Sequence, residues 1–179
     1  MKFRSFTALL TLIGVTACGV EDGAGSLEFT QLDGETVWLD GEIGSRSLEA
    51  LEAYLEDHPD TEILVFGDMP GSMDDAANFI LARFVRDQGF ATHIPATGEA
   101  YTGAGDLFLA GAERTMDSGA IFGVHSWCGD TYTGRGIPQR ADHPDHAPYI
   151  AYFRDMGMDD PAGYYSFTLD TAPLTRCMI

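Results

Sequence analysis

Residues 63–66, Ile-Leu-Val-Phe, form an uninterrupted apolar run of strand length, followed at once by Gly67, Pro70, Gly71 and Ser72 and then by a helical pattern. A strand with no polar alternation has to bury both faces, which is the situation of a strand inside a parallel sheet covered by helices. The rest of the chain keeps the same rhythm. Residues 37–39 (Val-Trp-Leu) before Gly41 predict a strand, and Leu48, Leu51, Tyr54 and Leu55 fall on one helical face with Ser47 as N-cap. Ser72-Met73-Asp74-Asp75 has the form of a capping box. After it Met73, Ala77, Ile80 and Phe84 make one stripe, Arg83 and Arg86 occupy the last turn and Gly89 stops the helix. A short strand is predicted over 92–94 ahead of Pro95, a helix around 107–109 and a further strand over 120–125. Strands alternating with helices imply an α/β fold, a mostly parallel sheet with right-handed strand–helix crossovers.

The N-terminal 18 residues have a different character. Lys2 and Arg4 precede an apolar run from Phe6 to Val15, the charge pattern of a secretory signal, and the run is too short to span a membrane. Val15-Thr16-Ala17-Cys18 resembles the lipobox of bacterial lipoproteins, which implies a signal peptide over 1–18 and lipidation of Cys18; the alternative is an ordinary signal peptide cut near Ala17. Gly19 follows the cysteine rather than Asp, so the expected location is the periplasmic or cell-surface side of the outer membrane. Residues 19–26, small, polar and Gly-rich, predict a flexible tether, and 27–179 a single domain.

Loss of Lys2 and Arg4 leaves eight arginines and no lysine against 28 acidic residues, moving the formal charge from −18 to −20. A body this acidic repels nucleic acid and anionic lipid, so no nucleic-acid partner is expected and membrane contact only through the lipid anchor. With Cys18 lipidated, Cys128 and Cys177 are the thiols that remain for an oxidising compartment. A bridge between them closes a loop typically worth about 3 to 4.5 kcal/mol; two separate free thiols is the alternative. Residues 128–148 are polar and rich in Gly, Pro, Asp and His, a long loop of the kind that serves as a lid or binding element, and 147–155 a short helix. Asp142-His143-Pro144-Asp145-His146 has metal-ligand residue types, but no helix fixes the His143 to His146 spacing, and the expectation is no metal and no cofactor.

Three segments carry the chemistry. Met69-Pro70-Gly71-Ser72-Met73 is a turn into a helix, able to aim the Gly71 and Ser72 amides at a developing oxyanion. Thr102-Gly103-Ala104-Gly105-Asp106-Leu107-Phe108-Leu109-Ala110-Gly111 offers a hydroxyl before a helix, and Gly123-Val124-His125 ends a strand on an imidazole. In order and spacing these resemble the Clp peptidase and crotonase-like superfamily, with the small secreted or periplasmic members nearest. The resemblance spans roughly residues 35 to 175 and implies a Clp/crotonase-like fold. It places Gly71 and Ser72 where the superfamily has Ser-Pro-Gly-Gly, and Thr102 where its peptidases have serine in Ser-x-Ala-x-x-Leu-x-x-Ala-Gly. Gly103 becomes the second oxyanion donor and His125 the base, following the Ala-Gly helix and Arg114. The third member of a triad is less marked: Asp170 is the candidate, with Asp159 and Asp160 competing.

Two departures matter. Threonine restricts χ1 and crowds the attacking direction, and Ser72 stands in place of a second glycine. A serine–lysine mechanism, as in signal peptide peptidases of the superfamily, is excluded for a mature chain without lysine. Coenzyme A binding, the crotonase habit, is disfavoured by the scarcity of cations. Two functions follow as expectations: an envelope-anchored hydrolase acting on a peptide or small acyl substrate, or an inactive Clp-like lipoprotein that binds a partner. The resemblance also implies assembly as a homo-oligomer.

Overall fold

The computed structural model describes residues 23–126 and 144–171. In chain order the elements are β1 (Glu28–Gln31), β2 (Thr36–Asp40), α1 (Ser47–Asp57), β3 (Ile63–Phe66), β4 (Asp68–Met69), α2 (Asp75–Gln88), β5 (Ala91–Ile94), β6 (Glu99–Tyr101), α3 (Gly103–Leu109), β7 (Arg114–Met116), β8 (Ile121–Gly123), α4 (Ala147–Asp155) and α5 (Pro161–Asp170). They form a large sheet in the order β1-β2-β3-β5-β7 and a small sheet in the order β4-β6-β8. The β1–β2 pair is antiparallel, whereas β2–β3, β3–β5, β5–β7, β4–β6 and β6–β8 are parallel. An α/β architecture with a mostly parallel sheet is what the sequence pattern predicts.

One unit recurs along the chain: a strand in the large sheet, a corner, a short strand in the small sheet, then a helix. β3-β4-α2 and β5-β6-α3 both follow it, and β2, the Ile43 bridge to Ser72 and α1 are an abbreviated form. The corner after β3 is Gly67, where an added Cβ would overlap the Trp38 indole and the Asp40 carboxylate. There the backbone changes partners: Gly67 N–H donates to Leu39 O of the large sheet at 2.8 Å, and Gly67 O accepts from Glu99 N of the small sheet at 2.7 Å. Asp40 fastens the corner by accepting from Asp68 N and Trp38 Nε1, both at 2.8 Å. The carboxyl ends of β4, β6 and β8 are therefore laid side by side, each opening onto a turn.

The core lies between the inward row of the large sheet (Val37, Leu39, Leu64, Phe66, Ile94) and α1 to α3. Tyr152 and Phe153 of α4, Met156 just after it and Tyr165 of α5 close its C-terminal side. Aromatic stacking carries much of that closure: Phe79 of α2 lies flat on Tyr152 at 4.5 Å and meets Tyr149 edge-on at 5.2 Å, and Tyr149 stacks on Tyr165 at 5.2 Å. Arg83 sits over the Tyr152 ring and pairs with Asp155 at 2.8 Å, which pins α4 to α2.

Several local expectations are corrected. The buried face of α2 is Asn78, Phe79, Leu81, Ala82 and Val85, while Met73 and Ile80 of the predicted stripe are 52% and 59% exposed. The amphipathic pattern was real but its phase was wrong, because a polar residue, Asn78, occupies the buried face. The N-cap of α2 is Asp74, accepting from Ala77 N at 3.0 Å, and not Ser72. Gly89 does stop the helix, in the left-handed conformation at φ 80°. Ser47 is the first residue of α1 rather than its cap; its hydroxyl accepts from Gly44 N. Half of the predicted tether belongs to the body: Gly23 O and Ala24 O accept from Ser45 N and Arg46 N, and Ser26 N donates to Glu42 O. Gly25 and Gly44 permit that contact, since a Cβ on either would overlap the other's backbone. β1, β7 and α5 carry no sequence signal strong enough to have been predicted, whereas α4 falls on the expected 147–155. Among the described residues no helix is long and apolar enough to cross a membrane. Cys18, Cys128 and Cys177 lie outside the described residues, as do Asp142 and His143.

Candidate functional site

The parallel pairing of β4 with β6 matches Asp68 to Glu99 and Met69 to Ala100. Carried three residues further, that register brings Gly71 beside Thr102 and Ser72 beside Gly103, and side-chain packing agrees. A Cβ on Gly71 would overlap Thr102 Oγ1, and a Cβ on Gly103 would overlap Ser72 Oγ. Both glycines are thus required by the close approach of the two turns. On its far side the Gly71 turn is tied to Ile43: Ile43 N donates to Gly71 O at 2.9 Å and Met73 N to Ile43 O at 2.8 Å. With those groups spent toward Ile43, the Ser72 N–H faces the opposite side, toward Thr102. Among the described residues neither the Gly71 nor the Ser72 amide donates to another protein group, and Gly103 N, first in α3, has no intrahelical acceptor.

Thr102 is the most constrained residue of the chain. It joins β6 to α3 at φ 50°, ψ −118°, and among the described residues it is the one non-glycine residue with positive φ. For a β-branched side chain this conformation costs on the order of 1–3 kcal/mol. A hydroxyl held on a strained strand-to-helix turn is the geometry by which a nucleophile is exposed at the end of a sheet. The residues two positions away on either side, Ala100 and Ala104, are buried alanines, small as such a turn needs. Asn78 locks the far end of the turn: it is fully buried and Nδ2 donates to Gly103 O at 2.8 Å.

His125 lies past the end of β8, two residues beyond Gly123, which pairs with Tyr101 and accepts from Thr102 N at 2.8 Å. The predicted strand over 120–125 is shorter, Ile121–Gly123, so the histidine stands on a loop. Its Nδ1 lies 2.7 Å from Ser126 O. A carbonyl can only accept, so Nδ1 carries a proton, and in the neutral imidazole the lone pair lies on Nε2. No hydrogen bond joins Thr102 and His125 in this structure. Asp170 is exposed at the last position of α5, and among the described residues its carboxylate has no hydrogen-bond or ion-pair partner; Asp160 caps α5 through Gly163 N at 2.8 Å, and Asp159 is exposed. The orienting partner that the structure gives His125 is a backbone carbonyl.

Two carboxyl groups that the motif reading passed over stand beside this turn. Among the described residues the carboxyl of Asp106, one helical turn after Thr102, has no hydrogen-bond partner; burial, reinforced by the Asp75 charge, pushes it up to about 8. Asp75 accepts from Ser72 Oγ at 2.9 Å and from the Tyr149 phenol at 2.5 Å. Burial and then Asp75 raise Tyr149 far above the usual phenol range, and burial followed by Asp106 does the same to Tyr164. The phenol of Tyr152 donates to the backbone carbonyl of Asp106. Asp106 could have been found in the sequence as the polar residue four beyond Thr102. Tyr149 could not, because it lies 74 positions from its partner. Among the described residues no three histidine, cysteine, aspartate or glutamate side chains are grouped to hold a metal ion.

No family model matches the chain. No curated protein matches it either. Among solved structures it is similar to a candidate enoyl-CoA hydratase from Streptomyces coelicolor A3(2), at 17% identity and a TM-score of 0.36, over 63% of this chain and 52% of that one. It is also similar to a Pseudomonas aeruginosa protein, at 19% identity and a TM-score of 0.40, over 79% of this chain and 72% of that one. The chain spans about half the length of the Streptomyces protein. Likeness of this order bears on neither substrate nor mechanism.

Proposed function

We propose that this chain is a Clp-type acyl hydrolase, cleaving a peptide or ester, that is held by a lipid on Cys18 at the periplasmic or surface side of the outer membrane. The single observation that supports it most is Thr102, a β-branched residue kept at φ 50° between β6 and α3 with its hydroxyl against Gly71. In this reading Thr102 Oγ1, or a water, attacks the acyl carbon. His125 Nε2 removes the attacking proton and returns it to the leaving group. The amides of Gly71, Ser72 and Gly103 receive the oxyanion, each donor being worth about 3 kcal/mol in the transition state. Ser126 O, or Asp170 after a rearrangement of the C-terminal segment, keeps the imidazole in the required tautomer. A Cys128–Cys177 bridge and a homo-oligomeric assembly belong to the same reading. No cofactor is needed for the chemistry, and nucleic acid has no place in it.

The test is covalent labelling by a fluorophosphonate probe followed by peptide mapping. Labelling of the wild type at Thr102, lost in both Thr102→Ala and His125→Ala, is the expected result. Retention of labelling in both variants overturns the mechanism.

A second reading has its own support: the Asp75 carboxylate stands beside a turn that would have to stabilise an anion, and no hydrogen bond joins Thr102 to His125. In that case the cleft is a binding surface of a non-catalytic envelope lipoprotein. Failure of several acyl probes, together with capture of a peptide lost on filling the Gly71 turn, would decide for it.

A further inference from the structure

Asp75 opens α2 and stands between the Gly71–Ser72 turn and α4. Its Oδ1 accepts the Ser72 hydroxyl at 2.9 Å, and its Oδ2 accepts the Tyr149 phenol at 2.5 Å. A serine hydroxyl has one proton to donate. Given to Asp75, that proton fixes the Ser72 side chain in a single rotamer, with Oγ lying on the Cα of Gly103. Ser72 is therefore a spacer between the two segments whose amides are free: the bridge to Ile43 holds its backbone, and the Asp75 carboxylate sets its side chain.

The other end of the chain of contacts is equally fixed. The Tyr149 ring is packed edge-on against Phe79 of α2 and flat against Tyr165 of α5. Its hydroxyl reaches across to α2, 74 positions earlier in the sequence. α2 holds the neighbouring turn as well, through Asn78 Nδ2 on Gly103 O. One helix thus bonds to both turns, to Ser72 through the Asp75 carboxylate that α4 also holds and to Gly103 through Asn78.

We propose that Asp75 is a positioning residue: with Ser72 on one oxygen and Tyr149 on the other, it sets the spacing between the Gly71–Ser72 amides and the Thr102–Gly103 turn, so that docking of α4 is a condition for a formed oxyanion site. The proposal rests on the acyl-transfer reading for its chemistry but not for its geometry. Asp75→Asn preserves shape and leaves one acceptor oxygen for two hydroxyl donors. Tyr149→Phe removes one of those donors and retains both ring contacts.

Two readouts on the full chain test it. The first is the kinetics of labelling at Thr102 by a small fluorophosphonate. Asp75→Asn and Tyr149→Phe should each lower the maximal labelling rate by about 10- to 100-fold, as sub-ångström misplacement of a reacting site does, with half-saturation unchanged. The double variant should be no slower than Asp75→Asn alone, because both act on one contact. The second is the amide NMR shifts of Ser72 and Gly103, which should move in both variants while the melting temperature changes by no more than about 4 °C. If the wild type is not labelled at all, the hydrolase reading fails, and movement of those two amides still supports the positioning role. Unmoved amides, or wild-type labelling rates in variants that only melt earlier, overturn it.

Discussion

Two turns of this molecule do the same topological work with different residues. After β4 the chain enters the α2 region through Gly71 at φ 141°, and after β6 it enters α3 through Thr102 at φ 50°. They are neighbours in the same small sheet, and each crowds the other. At the first the chain uses the residue for which a left-handed conformation costs least; at the second it retains a β-branched side chain where glycine would relieve the strain. Glycine also takes positive φ at positions 23, 25, 41, 89, 119 and 157, so the exception at 102 is confined to one place. A hydroxyl kept against a conformational cost marks the point where geometry serves something other than stability.

The largest effect should come from the glycine turn. Gly71→Ala meets both a strained φ and the Thr102 hydroxyl, and the expected loss is about 3 kcal/mol or more, read from the urea midpoint. Gly89→Ala is the internal standard. Its φ is 80°, but nothing lies within 4 Å of an added Cβ, so conformational strain alone costs it about 1 kcal/mol. Equal losses at the two positions would mean that the turns do not press on each other, and the shared hollow would be lost with that contact.

The threonine turn should respond in the opposite sense. Thr102→Gly releases strain of about 1–3 kcal/mol against an entropic cost of about 1 kcal/mol for the added glycine, leaving a net gain near 1 kcal/mol. Thr102→Ala keeps its Cβ and so keeps the strain, without that gain. Thr102→Ser keeps the hydroxyl with less crowding and should be labelled faster than the wild type by a fluorophosphonate. A Thr102→Gly variant less stable than Thr102→Ala would remove the claim that strain is stored there.

The same two turns show what the sequence could and could not disclose. Gly71, Ser72, Thr102 and Gly103 were legible as turn residues beside strand or helix ends, but only the resemblance of the motifs in order and spacing implied that they meet; β6, whose register with β4 aligns them, carries no pattern of its own in the sequence. The phase of α2 was not legible, since its buried face includes Asn78, whose Nδ2 finds its partner in the carbonyl of Gly103, 25 residues on. Nor was the Asp75–Tyr149 contact, which depends on aromatic packing between α2, α4 and α5 rather than on any local pattern. β7 was missed because it is short and exposed throughout, so it carries neither the apolar run nor the alternation that marks a strand.

The prediction sharpest in its direction concerns the carboxyl one turn beyond Thr102. Asp106 holds its proton up to about pH 8 in the folded chain, through burial first and Asp75 second, against an ordinary value of 3.8. Between those limits the unfolded chain releases a proton that the folded chain keeps, so this group's contribution to stability falls as pH rises from about 4 to about 8 and levels off above. Below the ordinary value both states are protonated and the group contributes no dependence. Asp106→Asn removes the titration and nearly preserves the shape. Its melting temperature relative to wild type should therefore improve on going from pH 4 to pH 8, by about 4 °C or more. Parallel melting curves across that range would show that Asp106 ionises in the folded state as freely as in water. A second carboxylate would then stand beside Asp75 next to the Thr102 turn at neutral pH, which would favour the binding surface over the hydrolase.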